Sequence, residues 1–329
     1  MAAASHRTDT PHSSVPRILI VAGPTGVGKT EAALLVAEEL AAEIISADSR
    51  QVYQGLEIGT AAPGTAELAR VPHHLVSERD PRRAWSAGEF ARQAAAAARD
   101  ILARGHLPMV VGGSGFYLQA LQEGIFAEPP ADPARRAALR RELRRRCSTE
   151  GPERLHAELM AADPAWAAAI EPTDSQRIVR GLEAWQLYGT PLSELQAAEA
   201  ADPPIAADFC TLLLERDRAD LYARIDRRVT KQFERGWLEE ARALQQAGVP
   251  PDAPGLSGLG YEALFAHLAG EVSQAEAVEM IRREHRRYAK RQLTWFRRFT
   301  AERIALVPED GAEATAARIL AAWRSDSSD

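Results

Sequence analysis

The chain contains 329 residues, more than a typical single domain, which predicts either one large domain with an insertion or two domains. Apolar residues make up 46% of the chain and charged residues 26%, proportions typical of a globular enzyme with a sizeable core. The formal net charge of −6 argues against a protein that coats nucleic acid over its whole surface, but it allows a local basic surface.

The N-terminal segment and the cysteines favour a protein of a reducing compartment. Residues 1–15 are polar and rich in small residues, without the apolar core of a signal peptide, so we expect a disordered tail. Cys147 and Cys210 lie far apart and form no metal-ligand spacing, which favours a cytoplasmic protein without disulfides. The apolar runs fall short of the ~18 residues that a membrane span needs, so no membrane association is expected.

The first elements in the chain are a buried strand and a glycine-rich loop. "ILIVA", residues 18–22, is a short β-branched run that predicts a parallel strand. Residues 23–30, "GPTGVGKT", fit G-x-x-x-x-G-K-[ST], the pattern of a phosphate-binding loop. Apolar residues then recur with a 3.6-residue period up to Leu40, which predicts a helix after the loop.

Two further apolar runs extend this pattern into a sheet. "AEIISAD" predicts a second strand that ends at Asp48, and "LPMVVGGSG" predicts a third strand that ends in the pair Gly112 and Gly113. The stretch "SAGEFARQAAAAARDILARG" between them is helical in pattern. The order of strands and helices predicts an α/β fold with a parallel sheet covered on both faces.

The pattern changes from about Pro129. Helical stretches separated by Pro and Gly then follow without any strand-like run, which predicts an all-helical insertion. "FCTLLL", residues 209–214, returns to a strand pattern, and the remainder is mostly helical. We therefore expect the following division after the tail: a core of 16–127 and 198–322, a helical insertion of 128–197 between them, and a frayed end of 323–329.

The glycine-rich loop predicts a site for phosphate groups. Glycines let backbone N–H groups turn inward, and the positive end of the next helix dipole faces the anion. Lys29 adds a positive charge, and the Thr30 hydroxyl can ligate Mg²⁺. Enzymes that hydrolyse or transfer a γ-phosphate usually carry an acid after a later strand, but the candidate strand ends in Gly112, Gly113 and Ser114. ATP binding is therefore physically feasible, whereas ATP hydrolysis is not expected.

An acidic residue lies instead at Asp48, after the second strand. Open α/β sheets bind their ligands at this edge. The residue pattern leaves three roles open. Asp48 can bind Mg²⁺ through water, accept a proton from a bound nucleophile, or cap the following turn with its side chain.

Eight motifs in order resemble the family of tRNA dimethylallyltransferases, also called tRNA isopentenylpyrophosphate transferases. They are "GPTGVGKT" (23–30), "DSRQVYQGLEIGTAAP" (48–63), "PHHLV" (72–76), "VGGSGFYLQAL" (111–121), "DSQRIVRGLEAWQLYGTPLSEL" (174–195), "LYARIDRRV" (221–229), "LGYEAL" (259–264) and "YAKRQLTWFRR" (288–298). Together they span about residues 17–300. The chain lacks cysteines for the zinc finger of eukaryotic relatives, so the resemblance is to the bacterial type.

The resemblance implies a fold, a reaction and two substrates. The fold is a P-loop NTPase-like parallel sheet core with a helical insertion domain and a helical C-terminal region. The reaction transfers a dimethylallyl group from dimethylallyl diphosphate to N6 of the adenosine immediately 3′ of the anticodon in tRNA, with diphosphate as the leaving group. The implied macromolecular partner is the tRNA anticodon stem-loop, and we expect the enzyme to act as a monomer.

Site roles follow from the same resemblance. Asp48 becomes the base or acceptor for the adenine amine, Arg224 neutralises the departing diphosphate, and Thr25 is the third catalytic residue. For Arg224 the alternative is a solvated helix face. The diphosphate-binding residues are Gly23, Pro24, Thr25, Gly26, Val27, Gly28, Lys29 and Thr30, and Thr30 also contacts Mg²⁺.

The resemblance places tRNA contacts beside the loop and in the insertion, and a basic run near the C-terminus predicts a third segment. The residues are Asp48, Ser49, Arg50, Gln51 and Ser114 beside the loop; Gln176, Arg177, Ile178, Val179 and Arg180 in the insertion; and Lys290, Arg291 and Arg297 near the C-terminus. The last group lies in residues 282–298, which hold eight Arg or Lys against one Glu. Trp295 and Phe296 in this run are expected in the core. A second basic run, residues 135–146, is either an arm that guides tRNA or a solvated face.

Three other functions remain open alternatives. The first is prenyl transfer to free AMP, ADP or ATP, for which a helical insertion and a basic helix are unnecessary. The second is a small-molecule kinase, which the missing late acid disfavours. The third is a non-catalytic RNA-binding protein, which leaves Lys29, Thr30 and Asp48 together unexplained.

Overall fold

The computed structural model describes residues 15–126, 129–198, 202–258 and 260–326, so most of the predicted N-terminal tail lies outside the described residues. The chain forms two compact units. The core unit comprises the chain up to Gln122 and again from Pro203, and the insertion unit comprises Glu123–Asp202. No helix among the described residues is long and apolar enough to cross a membrane.

The core unit is built on one parallel sheet, which confirms the predicted α/β fold class. The strands are β1 (Arg17–Ala22), β2 (Ala42–Ala47), β3 (His73–His74), β4 (Leu107–Gly112), β5 (Asp208–Arg216) and β6 (Glu302–Leu306). Their spatial order is β3-β2-β4-β1-β5-β6, and Val21 in β1 pairs with Val111 on one side and Leu212 on the other. The carboxyl ends of β1, β4 and β2 therefore lie side by side.

Helices connect the strands and build the insertion unit. Before the insertion they are α1 (Lys29–Leu40), α2 (Glu57–Thr60), α3 (Thr65–Arg70), α4 (Ala87–Ala103) and α5 (Gly115–Glu123). Those of the insertion unit are α6 (Pro133–Glu150), α7 (Pro152–Ala162), α8 (Pro164–Ala168), α9 (Ser175–Tyr188) and α10 (Leu192–Ala198). Those after it are α11 (Arg218–Glu234), α12 (Trp237–Gln246), α13 (Tyr261–Leu268), α14 (Gln274–Phe296) and α15 (Ala312–Asp326).

Burial explains why the sheet forms where it does. Residues 18–22 of β1 are fully buried, as a strand covered on both faces must be. The apolar face of α1, with Ala33 and Val36, packs in the same core as Ile319 of α15. A second cluster joins α11 to α14 around the buried rings of Trp237 and Tyr261, which meet edge to face. This second cluster fixes α11 and α14, the two helices that reach the loop after β1.

The insertion unit has its own apolar core. Leu143, Leu155, Leu159 and Leu182 are buried together at the meeting point of its longer helices. The carboxylate of buried Glu183 receives two hydrogen bonds of 2.6 Å from the Arg140 guanidinium, so its charge is paired.

The last helix continues past position 322, where the sequence prediction ended it. α15 runs to Asp326, whose carboxylate pairs with Arg17 at the start of β1. The Arg17 guanidinium also lies 4.2 Å from the ring centroid of Trp323. These contacts to a buried strand keep the final turn helical, so residues 323–326 are not the frayed end that the polar sequence suggested.

Candidate active site

The loop between β1 and α1 has the backbone conformation that its glycines predict. Gly26 and Gly28 have φ values of 82° and 111°, a region that other residues rarely adopt. A Cβ atom on Gly26 would also lie 2.9 Å from the Ile225 side chain. The glycines are therefore required both for the turn and for the close approach of α11.

Lys29 begins α1 and points back across the loop. Its Nζ donates hydrogen bonds to the carbonyl oxygens of Gly23 at 2.8 Å and Pro24 at 2.9 Å. Burial lowers the pKa of Lys29 to about 8; the negative charge of Asp48 opposes this shift, and the positive charge of Arg228 adds to it. The charge of Lys29 therefore depends on its burial and on the neighbouring charges of Asp48 and Arg228.

Two arginines one turn apart on α11 close the other side of the loop. Arg224 Nε donates to the Gly26 carbonyl oxygen at 2.9 Å, which places its guanidinium beside the loop rather than on a solvated face. Arg228 donates to Thr25 Oγ1 at 3.1 Å and to the Thr60 carbonyl oxygen at 3.2 Å. The i, i+4 spacing puts both on one helix face. The resemblance to the family had indicated only Arg224.

Asp48 follows β2 at the same edge of the sheet. Its Oδ1 accepts a hydrogen bond of 2.8 Å from the backbone N–H of Arg50, so the capping role left open by the sequence is real. A carboxylate has two oxygens and about four acceptor sites, so capping leaves acceptor capacity for another donor. The charge of Asp48 acts on Lys29, Arg228 and Tyr288.

Ser114 and the glycines before it join Asp48 to the rest of the site. Ser114 Oγ accepts from the Ser49 N–H at 3.1 Å. A Cβ on Gly112 would lie 2.1 Å from the Ala47 carbonyl oxygen, so only glycine allows β4 and β2 to end this close. Tyr288 of α14 is hydrogen-bonded to Ser114, and burial together with Asp48 raises its pKa to about 12.

Arg50 and Gln51 have their side chains engaged within the core unit. Arg50 Nη1 donates to the Pro254 carbonyl oxygen at 2.7 Å. The Gln51 amide accepts from Ser46 Oγ at 2.9 Å and donates to the Ala61 carbonyl oxygen at 3.1 Å. Any contact of Gln51 with RNA would therefore need its amide to exchange an existing partner.

The basic run near the C-terminus belongs to α14 and the turn after it. Lys290, Arg291 and Arg297 are exposed, as RNA contacts require. Phe296 is buried, which confirms the expectation that it belongs to the core, while Trp295 is half-buried and packs over Gly115.

The five insertion residues predicted to contact tRNA do not share one environment. Gln176 and Arg177 are exposed at the start of α9, and Arg180 is partly buried. Ile178 and Val179 are buried in the core of the insertion unit. The structure therefore removes these two side chains from the contact set, because they form the apolar face of an amphipathic helix.

The site also contains residues that the sequence did not point to. Arg216 donates to the Val27 carbonyl oxygen at 2.9 Å, and Gln292 accepts from the Thr25 N–H at 2.9 Å. Arg228 and Tyr288 complete this group. Each lies far along the chain from the loop, so only the spacing of Arg224 and Arg228 could have pointed to one of them.

The combined geometry is that of an anion cradle with an acceptor beside it. Lys29 and Arg224 each donate to a carbonyl oxygen of the loop, and the negative charge of Asp48 acts on Lys29. Such an arrangement can stabilise a leaving phosphate group while a carboxylate takes a proton from the attacking atom.

Comparison with known proteins agrees with this geometry. The model of the family described as IPP transferase matches residues 51–299. A tRNA dimethylallyltransferase of Salinibacter ruber is 44% identical over 92% of this chain and 91% of its own. One of Symbiobacterium thermophilum is 45% identical over 85% of this chain and 86% of its own.

Solved structures give the same result. The tRNA isopentenylpyrophosphate transferase of Bacillus halodurans superposes with a TM-score of 0.67 at 33% identity, covering 96% of this chain and 99% of that one. A eukaryotic dimethylallyltransferase acting on tRNA superposes with a TM-score of 0.73 at 25% identity, covering 90% of this chain and 74% of that one. These comparisons give no support to the alternatives of a free adenylate acceptor or a small-molecule kinase.

Proposed function

The chain belongs to the IPP transferase family and transfers a dimethylallyl group to tRNA, and we propose that the donor is dimethylallyl diphosphate. The acceptor in this proposal is N6 of the adenosine immediately 3′ of the anticodon. The observation that carries it is the combination of a cationic loop after β1 with the carboxylate of Asp48 after β2, at the same edge of the sheet.

The loop holds the diphosphate in this proposal. The N–H groups of Gly26 and Gly28 and the positive end of α1 bind its oxygens, with Lys29 and Arg224 as point charges. Thr25 supplies a hydroxyl. Because Arg228 can only donate, Thr25 Oγ1 accepts from it, and the Thr25 hydroxyl proton stays free for a diphosphate oxygen.

Asp48 acts on the adenine amine. The N6 lone pair is delocalised into the ring, so the amine needs orientation and a proton acceptor as its bond to carbon forms. The C1–O bond of the donor breaks, its electron pair leaves with diphosphate, and the proton of N6 passes to Asp48. Since the new bond is to carbon, no water or γ-phosphate takes part, which fits the absence of an acid after β4.

The residues at the loop fit Mg²⁺. Thr30 lies exposed in the first turn of α1, and the described residues contain no group of three His, Cys, Asp or Glu that would hold an ion alone. Mg²⁺ commonly keeps several waters and binds through substrate phosphates and few protein ligands. The Thr30 hydroxyl would contact it, and when bound the ion offsets the charge of the leaving diphosphate.

The anticodon stem-loop is the part of tRNA that we propose the enzyme recognises. A stacked base must leave its stack before its N6 can reach Asp48. Ser49, Arg50 and Ser114 border that position, and exposed Lys290, Arg291, Arg297, Gln176 and Arg177 supply phosphate contacts. Gln51 and Arg180 are also candidate RNA contacts, but each side chain would have to release a partner within the protein before it could bind RNA.

We further propose that the enzyme is a cytoplasmic monomer. Both cysteines, Cys147 and Cys210, are buried and unpaired, which suits a reducing compartment. Light scattering of the purified protein would test the monomer directly.

The Asp48 assignment is tested by Asp48→Asn, which keeps an oxygen for the Arg50 N–H and removes the charge. We expect single-turnover transfer to fall by about 100-fold or more, because a general base contributes that much. The dissociation constant for the stem-loop should change less than about threefold. Asp100→Asn, at an exposed position of α4, is the control and should leave both unchanged. Equal loss of transfer and binding in Asp48→Asn would refute the assignment.

A further inference from the structure

Gln292 is a polar residue buried in α14 whose amide makes two hydrogen bonds to segments of the site. Its Oε1 accepts from the Thr25 N–H at 2.9 Å, and its Nε2 donates to the Gly113 carbonyl oxygen at 2.8 Å. Only 6% of the residue is exposed. One amide thus joins α14 to the phosphate loop and to the end of β4.

The first hydrogen bond determines which loop donors are free. The Thr25 N–H is used by Gln292, and the Val27 N–H donates to the Pro24 carbonyl oxygen at 3.3 Å. Within the described part of the chain, no residue accepts a hydrogen bond from the N–H of Gly26 or Gly28. Gln292 therefore occupies the Thr25 N–H and leaves the N–H groups of Gly26 and Gly28 for the diphosphate.

The position of the Gln292 amide explains why residue 113 is a glycine. A Cβ at this position would lie 2.4 Å from Gln292 Nε2 and 2.8 Å from the Gly23 carbonyl oxygen. The amide fills the space that a side chain would take. Both of its polar atoms are satisfied by backbone groups, as a buried amide requires.

We propose that Gln292 is a positioning residue for the phosphate loop. By holding the Thr25 backbone, it orients the loop, with the Thr25 hydroxyl, toward the diphosphate before the diphosphate binds. Gln292 itself does not touch the diphosphate. The inference rests on the proposed function for its ligand, because the loop must bind the diphosphate of the prenyl donor.

Preorganisation of this kind predicts a specific kinetic effect. In a variant without these hydrogen bonds, the loop would become ordered only when diphosphate binds. The free energy of ordering would then weaken the affinity for diphosphate but not the affinity for RNA. Gln292→Met keeps the length of the side chain and removes both hydrogen bonds. Gln292→Glu keeps the acceptor for Thr25 but removes the donor to Gly113 and adds a negative charge.

Gln232 provides the matched control. It is also a buried glutamine of a core-unit helix, and its Nε2 donates to the carbonyl oxygens of Ile58 and Gly59, both at 2.8 Å. Gln232→Met therefore removes a comparable buried amide without touching the loop. Thermal unfolding of both Met variants would show whether they lose similar stability.

The experiment measures binding of inorganic pyrophosphate with Mg²⁺, binding of an anticodon stem-loop, and transfer, in wild type and the three variants. In Gln292→Met and Gln292→Glu we expect the dissociation constant for pyrophosphate and the KM for the prenyl donor to rise about tenfold, with kcat and stem-loop affinity nearly unchanged. Gln232→Met should match wild type in pyrophosphate binding.

Two results would overturn the inference. One is pyrophosphate binding by Gln292→Met within about threefold of wild type, and the other is a loss that Gln232→Met shares. Failure of the proposed function would look different, because wild type would then bind pyrophosphate and still not label the stem-loop.

Discussion

At the scale of single residues, the site depends on contacts that span most of the chain. Arg228 reaches Thr25 over 203 positions, and Gln292 reaches it over 267. The loop motif and Asp48 could be predicted because their chemistry lies within short segments. Arg228 could be suggested only by its spacing from Arg224. Tyr288 and Gln292 could not be predicted, because their partners lie in distant segments of the chain.

The lowered pKa of Lys29 predicts a pH dependence of donor binding. The protonated amine attracts diphosphate, so affinity should be full below about pH 8 and should weaken as the pH rises through that value. The measurement is kcat/KM for the prenyl donor from pH 6.5 to 9.5.

Lys29→Met is the comparison for this profile. It should have a much lower kcat/KM without the alkaline fall near pH 8. A wild-type profile that stays flat through this range, or a fall of the same size in Lys29→Met, would contradict the role of Lys29.

At the scale of elements, four of the six strands could be predicted and two could not. β1, β2, β4 and β5 are apolar runs whose burial gives them a clear pattern. β3 has two histidines only, and it pairs beside Ile44 and Ile45. β6 is an edge strand with three of five residues exposed, so its sequence lacks the signal of burial.

Buried Glu43 ties together the elements at the end of the sheet opposite the active site. Its carboxylate pairs with His74 of β3 at 2.7 Å, with Arg104 after α4 at 2.7 Å, and with His106 before β4 at 2.8 Å. Burial acts to raise its pKa, but the hydrogen bonds from Arg104, His74 and His106 outweigh burial and lower the pKa to about 2.

This cluster predicts acid sensitivity. Because the folded pKa of Glu43 lies below its unfolded value, its stabilisation is present above about pH 5 and is lost as the pH falls toward 2. Urea unfolding between pH 3 and 7 should show this fall in wild type and a smaller fall in Glu43→Gln. Glu38→Gln removes an exposed carboxylate paired with Arg70 and serves as control. Identical pH profiles for wild type and Glu43→Gln would contradict the account.

At the scale of the whole molecule, the matched family model spans both compact units, since residues 51–299 include all of the insertion unit. The helical character of the insertion was evident from its lack of strand patterns. The contact of its helices with tRNA remains a prediction. Since Ile178 and Val179 are buried, exposed polar residues such as Arg177 would have to make that contact.

A net charge of −6 requires the tRNA-binding charges to be local. Replacing exposed Lys290 and Arg291 together by Ala should weaken stem-loop binding and reduce the slope of log affinity against log salt by about 1 to 2, because two phosphate contacts are lost. kcat at saturating stem-loop should stay near wild type. Arg92→Ala, at an exposed position of α4, is the control. An unchanged slope in the double variant would show that Lys290 and Arg291 do not contact phosphates.

The proposed reaction is prenyl transfer from the diphosphate donor to N6 of one adenosine. The direct measurement uses labelled dimethylallyl diphosphate with three acceptors: an anticodon stem-loop with adenosine 3′ of the anticodon, the same stem-loop with inosine there, and free AMP. We expect label in the adenosine stem-loop alone, because inosine lacks the N6 amine and AMP lacks the stem-loop. Label in AMP, or equal label in the inosine stem-loop, would contradict it.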